Sequence, residues 1–387
     1  MNNDISIILS LSFIIFLSPF ISKLVKVPIT PVEIILGSIA GYLGFISSNN
    51  HLFELIAELG FLYLMFLAGI EVNLRKLLEI DKTLLRQGVI YLFLLYALSI
   101  ASSYYLDISK VFMVILPLIS VGLIVTLTKE YGKDVKWLKL SMLIGTLGEV
   151  VSIIVLTFVS GILEFGLGFE FYKTMFFLII SLVLFILLFK FLRILFWWYP
   201  EIKTFLMPHS DKDEKDIRIS MALFFITIAI TLYLNLEVAF GAFLAGIFIR
   251  TFFEHKKELP HKLESFGFGF LVPIFFVNIG ASFEIDSISR EGLICNAVLI
   301  VTLMISIRLI SSLVFLKILS FKEVILFALS QSMPLTLLIA VATLAYYSKS
   351  ISELYYFAFI LASIFEVIIG MIGIKIIKNL KKREVTS

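Results

Sequence analysis

Thirteen apolar runs, each long enough to cross the roughly 30 Å of hydrocarbon in a bilayer, follow one another between residues 5 and 377 and leave little chain between them. A run of that length and character reads as a transmembrane helix, because only intrasegment hydrogen bonding satisfies a lone backbone segment in lipid. The expected fold class is therefore an all-α polytopic membrane protein, a single integral membrane domain over residues 1–387 with about 13 spans. Hydrophobic residues make up 60% of the chain, charged residues 16%, and the mean hydropathy is +1.05. Those values lie far from the globular average.

Charge placement gives an orientation. With the N-terminus outside, 27 of the 32 Lys and Arg fall on the cytoplasmic side. The external loops hold only Lys110, Lys173, Arg290 and Lys349, and Arg308 lies inside a span. Positive charge is retained on the cytoplasmic side, so this split predicts an odd number of spans, an external N-terminus and a cytoplasmic C-terminus. The first run has no basic start and no small-residue cleavage site, and it reads as a retained helix. The net charge of +3 is small and spread over loops, so it reports topology within a lipid bilayer and no nucleic-acid partner.

Several chemistries are excluded. A single cysteine, Cys295, leaves no internal disulfide and no cysteine metal cluster. None of His51, His209, His255 and His261 belongs to an H-E-x-x-H pattern, so an intramembrane zinc protease has no support. An enzyme is not expected, nor a cofactor. The longest polar stretch, Pro200 to Asp216, reads as a solvated hinge between two halves.

The halves carry a repeat. Pro117-Leu118, Thr126-Leu127 and Glu149-Val150 overlie Pro334-Leu335, Thr343-Leu344 and Glu366-Val367 at one ungapped offset of 217 residues. Each glutamate lies 32 residues after its proline, deep in an apolar run. Transporters are commonly built from two such repeats, with helices broken near the midplane where substrate binds. Pro117 and Pro334 are the expected breaks, since proline removes one helical donor and frees a carbonyl a turn earlier. Ser120, Gly122 and Thr126 near the first break, and Ser330, Gln331, Ser332 and Thr336 near the second, offer oxygen ligands suited to a hard alkali cation.

An ionisable group in hydrocarbon is costly enough to be read as functional. Glu149 stands in Gly145-Thr146-Leu147-Gly148-Glu149-Val150-Val151-Ser152, where small neighbours permit close helix approach and water entry. A carboxylate that holds either a proton or a cation makes the two compete, which is the minimum machinery of an antiporter. The expected ion and proton site is Glu149 with Ser120, Thr126 and Thr146, the metal being Na⁺ or K⁺. Arg308 requires an acidic or carbonyl partner. Glu366 and Glu149 are the candidates, and pairing with Glu366 leaves Glu149 free to titrate. Glu33, after Pro28 and Pro31, reads as a helix N-terminal cap. Glu71, near Asn73 and Arg75, reads as interfacial, and Trp197-Trp198-Tyr199 as an aromatic belt.

At these residues the chain resembles the monovalent cation:proton antiporter-2 family, which includes sodium/proton antiporters and Kef-type potassium efflux systems. The most specific stretches are Phe240-Gly241-Ala242-Phe243-Leu244-Ala245-Gly246 and Leu271-Val272-Pro273-Ile274-Phe275-Phe276-Val277-Asn278-Ile279-Gly280, similar to the family's G-x-F-x-A-G and P-x-F-F-x-x-x-G pair. Glu58-Leu59-Gly60 with Phe66 to Glu71, and Pro28 with Val32-Glu33-Ile34, match its third- and second-helix signatures.

The resemblance implies an inverted-repeat antiporter fold with two broken, crossing helices. Its core helices would be 84–163 and 291–377, and the remaining helices would form a scaffold and a homodimer interface, the core moving like an elevator. Glu149 falls where the family carries its essential aspartate, Ser120 on the serine of a Thr-Ser pair, and Arg308 on a basic position of the eleventh helix. Two departures stand out. Gly148 replaces the usual Asp, Asn or Gln, and Ile119 replaces the threonine. One carboxylate instead of two predicts electroneutral exchange. The chain's end at Ser387, without the nucleotide-sensing domain of the potassium efflux relatives, favours unregulated Na⁺/H⁺ exchange in a bacterial inner membrane. A channel-like K⁺ efflux protein without proton coupling is the rival.

Overall fold

The computed structural model describes residues 3–25, 28–46, 50–72, 81–132, 135–165, 168–199, 201–202, 214–254, 256–282 and 292–386. Most of the polar stretch from Pro200 to Asp216, with Arg290, His209, His255, Asn73 and Arg75, lies outside the described residues. Every described element is helical. The helices are α1 (Asn3–Val25), α2 (Ile29–Tyr42), α3 (His51–Glu71), α4 (Lys82–Tyr105), α5 (Phe112–Ile115), α6 (Gly122–Tyr131), α7 (Lys136–Phe165) and α8 (Phe169–Trp198). They continue with α9 (Lys215–Tyr233), α10 (Val238–Phe252), α11 (Leu259–Phe266), a π-helical turn Gly267–Leu271, α12 (Val272–Ser282) and α13 (Leu293–Ser312). A 3₁₀ turn Leu313–Lys317, α14 (Phe321–Gln331), α15 (Leu335–Tyr347) and α16 (Glu353–Thr386) complete the chain.

Nine helical stretches among the described residues are long and apolar enough to cross a membrane, ten if the bent α14–α15 pair, with its 43° break, counts as one. Thirteen full-length spans is thus more than helix length alone supplies. Two expected spans are short helices, α2 with 14 residues and α10 with 15. The run 109–128 is split into α5 and α6 around Pro117. Helix α2 ends before the left-handed Gly44, α10 starts after its N-cap Glu237, and Pro117 interrupts the run 109–128.

The chain divides into two compact units, one of residues 1–74 and 164–287 and one of residues 75–163 and 288–387. In the first unit, α3 packs on α10 and α2 on α12. The α3–α10 crossing is backbone against backbone. A Cβ added to Gly246 would strike the Phe66 carbonyl, and one on Gly69 would strike the Phe243 carbonyl. Small residues permit such close approach between membrane helices, so the glycine of the G-x-F-x-A-G stretch has a packing reason. The outer face of α8 is apolar and exposed, with Phe176, Leu184 and Phe191 each about 60% accessible. Such a surface suits lipid or another apolar partner. Trp197 and Trp198, 76% and 67% accessible, close its end as an interfacial belt would.

In the second unit, α13 packs against both α4 and α16, and α14 against α13 and α16. Local signals set the ends of its helices. Asp81 caps α4 by accepting the Thr83 N–H at 3.1 Å, and Ser320 with Glu323 forms a capping box at the start of α14. Both proline breaks lie in this unit, with the buried Glu149 and Glu366.

Candidate functional site

The site grows from the two interruptions. Pro117 cannot donate a helical hydrogen bond, and residues 116–121 leave the helix between α5 and α6. Ser332, Met333 and Pro334 do the same between α14 and α15. A backbone unwound at membrane depth exposes polar groups that cannot be left unpaired, and side chains take them up one by one. The Ile119 N–H donates to Ser152 Oγ of α7 at 3.2 Å, and the Val121 N–H bonds Glu149. Arg308 of α13 donates to the Leu118 carbonyl at the first break, from Nε to the Gln331 carbonyl at the second at 2.9 Å, and from Nη1 to its own Met304 carbonyl at 2.9 Å. One guanidinium thus binds both breaks. Ser141 of α7 adds a second tie, with its hydroxyl 2.8 Å from that of Ser330 and its carbonyl accepting from Gln331 Nε2 at 2.9 Å.

Glu149 sits on α7 facing this crossing, 1% exposed. The Ser120 hydroxyl donates to Glu149 Oε1 at 3.1 Å and lies 3.5 Å from the hydroxyl of Thr336 in the first turn of α15. Glu149 Oε2 has no protein partner. A buried carboxylate oxygen with its second lone-pair set unused, beside two hydroxyls, is the beginning of an all-oxygen cation shell. It is also a place for a proton. No cluster of three or more His, Cys, Asp or Glu side chains that would hold a transition metal occurs among the described residues.

The two other hydroxyls expected at the site face their own helix backbones. Thr146 bonds back to the Met142 carbonyl at 2.7 Å, and Thr126 stands exposed on α6 with its hydroxyl 3.5 Å from the Gly122 carbonyl. Helical Ser and Thr return to their own backbone when no other partner is in reach. Thr336 and Ser152 take the places nearest the break instead. Arg308 is fully buried, and Glu366 of α16 is the carboxylate whose charge acts on it. The two are not in direct contact, since both Glu366 oxygens lack a hydrogen-bond partner. In the first unit, Glu33 lies within α2 and is 4% exposed, with the Ser18 hydroxyl of α1 at 3.5 Å. It is a buried helix-packing carboxyl and not a solvated cap. Glu71 is the last residue of α3.

Positions 119 and 148 are coupled through packing. A Cβ built on Gly148 would collide with Ile119 Cδ1 and stand 3.0 Å from Ile119 Cβ. The isoleucine fills the space that a polar residue at 148 would need, so the two changes belong together. Gly148→Asp alone is expected to destabilise the protein by about 1–3 kcal/mol through overpacking, beyond any cost of a second buried charge. Gly148→Asp with Ile119→Thr is expected to recover most of the overpacking share. Thermal unfolding of the two single variants and the double variant measures that coupling.

The family described as sodium/hydrogen exchanger, transmembrane, matches residues 10–379. A Bacillus subtilis protein named as a Na⁺/H⁺ antiporter, YjbQ, is 26% identical over 78% of this chain, and the chain spans about half, 51%, of that relative's length. A Methanocaldococcus jannaschii protein named as Na⁺/H⁺ antiporter 3 is 28% identical, with 80% of each chain covered. Among solved structures, the sodium proton antiporter MjNhaP1 of the same organism, at pH 8, has the same fold. Its TM-score is 0.67, at 16% identity, covering 97% of this chain and 99% of that one.

Proposed function

The chain belongs to the sodium/hydrogen exchanger family, and on that premise we propose that it is a secondary antiporter exchanging a monovalent cation for H⁺ at Glu149. Na⁺ is the favoured cation and K⁺ the alternative. The observation that carries the reading is the buried Glu149 carboxylate, held by Ser120 and the Val121 N–H where two broken helices meet, with one oxygen left free. Ser120 and Thr336 supply further oxygens. The cation binds the ionised carboxylate, a proton displaces it, and deprotonation on the other face reloads the site. The second unit is the part that carries the ion, in an elevator-type motion, and the first is the part that anchors it and forms a homodimer. The resemblance to the antiporter-2 branch and the N-outside, C-inside orientation in a bacterial inner membrane belong to the same reading.

One titrating carboxylate gives one cation per proton, hence electroneutral exchange. Ile119 over Gly148 supports that count, because it occupies the room a second acidic side chain would take. The deciding experiment reconstitutes the protein in vesicles carrying a pH gradient and a pH-sensitive dye. Adding Na⁺ or K⁺ is expected to collapse the gradient, and clamping the membrane voltage is expected to leave the rate unchanged. Cation flux without proton movement would overturn antiport. A voltage-dependent rate would overturn the one-to-one count.

Competition at a single carboxylate also fixes a pH dependence. Protonation removes the charge that holds the cation, so acid weakens cation binding and alkali strengthens it. In the acid limb the half-saturating cation concentration is expected to rise about tenfold per pH unit, with the maximal rate unchanged, as one proton competes for one site. Cation titrations over a pH series measure the slope. A hundredfold rise per unit would mean two protons.

A further inference from the structure

The second unit contains a row of buried polar atoms that the site at Glu149 does not use. On α4, Gln87 Oε1, the Tyr91 hydroxyl, Ser99 Oγ and Ser103 Oγ have no hydrogen-bond partner, although Tyr91, Ser99 and Ser103 are 0–1% exposed. They occupy one i, i+4 row, in which Leu95 is the only apolar member, and the neighbouring Tyr96 hydroxyl is likewise without a hydrogen-bond partner. Across from them, Ser311 Oγ on α13 and both carboxylate oxygens of Glu366 on α16 are also without partners. The row from Gln87 to Ser103 is about 24 Å long at 1.5 Å per residue, most of the depth of the hydrocarbon.

These serines are exceptional within their own protein. Ser102, on the same helix, bonds back to the Leu98 carbonyl at 2.8 Å, and buried Ser141, Thr157, Ser220 and Ser363 return to their helices in the same way. Ser99, Ser103 and Ser311 do not, so their hydroxyls are turned away from the backbone. Buried polar groups left unpaired by protein are bonded to internal water. Lipid cannot satisfy them.

We propose that this face of α4 is a binding site for a file of internal waters, running between the ends of the helix and reaching Glu366 beside Arg308. That file supplies a proton route separate from the cation's approach to Glu149. The waters stand on the geometry alone, whereas their role in carrying the exchanged proton rests on the antiport reading. Arg308, a buried cation beside the route, repels a cation that strays into it, and waters pass protons by exchanging hydrogen bonds without moving any ion.

X-ray hydroxyl-radical footprinting of the unmodified protein in lipid nanodiscs tests the waters, because radicals form from bound water and label side chains next to it. Tyr63 is the internal control. It is 1% exposed, and its hydroxyl donates to the Leu263 carbonyl at 3.1 Å. Tyr91 is expected to be labelled about tenfold faster than Tyr63, since both are shielded from bulk water and only one lies on the file. Equal labelling overturns the proposal. Filling the row with Ser99→Leu tests the role. The maximal exchange rate is expected to fall about tenfold while the half-saturating Na⁺ concentration stays unchanged, because the cation's oxygens are untouched. A raised half-saturation with an unchanged maximal rate overturns the proton route. A wild-type protein that exchanges nothing defeats the antiport reading, and tyrosine labelling still decides whether the water is there.

Discussion

Glu149→Gln is expected to leave the protein folded in the membrane and to bring cation-dependent proton movement to background. Glutamine has the same shape and still accepts from Ser120 and the Val121 N–H, so the packing of α7 is kept. What it loses is the charge that balances a bound cation and the group that binds a proton. An unpaired ion in a dry site costs several kcal/mol. At about 1.4 kcal/mol per factor of ten, cation occupancy falls by roughly a thousandfold or more. Dye dequenching in vesicles, with insertion checked by gel filtration in detergent, reads both halves of the expectation. PH-coupled cation flux surviving in this variant would sink the assignment of Glu149. Glu149→Asp separates charge from reach. It is one methylene shorter, so it keeps the titration but draws the carboxylate back from Ser120, and partial exchange with weaker cation binding is expected.

The parts of this site that a sequence displays are those that break a pattern. A glutamate in a run of valine and leucine, a proline in a helix and a lone arginine in a span each cost free energy in lipid, so Glu149, Glu366, Pro117, Pro334 and Arg308 stood out from their neighbours. The 217-residue offset tied the two prolines and the two glutamates into pairs. Hydroxyl residues were not legible in the same way. Thr146 is three residues from Glu149 and Thr126 six from Ser120, but on a helix that spacing says nothing about whether a hydroxyl points at the carboxylate or back to its own carbonyl. Thr336 was among the oxygen donors near the second break, whereas Ser152, three residues past Glu149, is found at the crossing only because the unwound backbone at Ile119 donates to it. Helix length alone supplies nine or ten of the expected spans among the described residues. Hydropathy counts apolar residues, whereas α2 and α10 stop where the backbone turns. Gly148 and Ile119 looked like two independent losses of polarity until the collision between their side-chain volumes joined them.

Arg308→Met is expected to be the most damaging single substitution for stability. Methionine matches the apolar part of the stem, yet it releases the carbonyls of Leu118 and Gln331 that the guanidinium bonds at the two breaks. Hydrogen bonds to a charged group are worth about 1.5–3 kcal/mol each, and removing one member of a buried charge pair costs about 3–5 kcal/mol. Glu366 is not bonded to Arg308 but loses the nearby positive charge, so only part of the second figure applies. A fall of several kcal/mol corresponds to a drop of about 10 °C or more in the apparent melting temperature for a domain of moderate size. Arg308→Lys separates the two contributions. Lysine keeps the charge but lacks the planar fork, so it satisfies one break at most. Adding Glu366→Gln to Arg308→Met removes the uncompensated charge and leaves the orphaned carbonyls. The double variant is therefore expected to melt above the single Arg308→Met, but still well below the wild type. Recovery to the wild-type temperature would mean that Arg308 serves only to neutralise Glu366, and that the broken helices hold their crossing without it. No recovery at all would mean the reverse, that the guanidinium is a backbone clamp whose charge happens to lie near a carboxyl that is itself protonated.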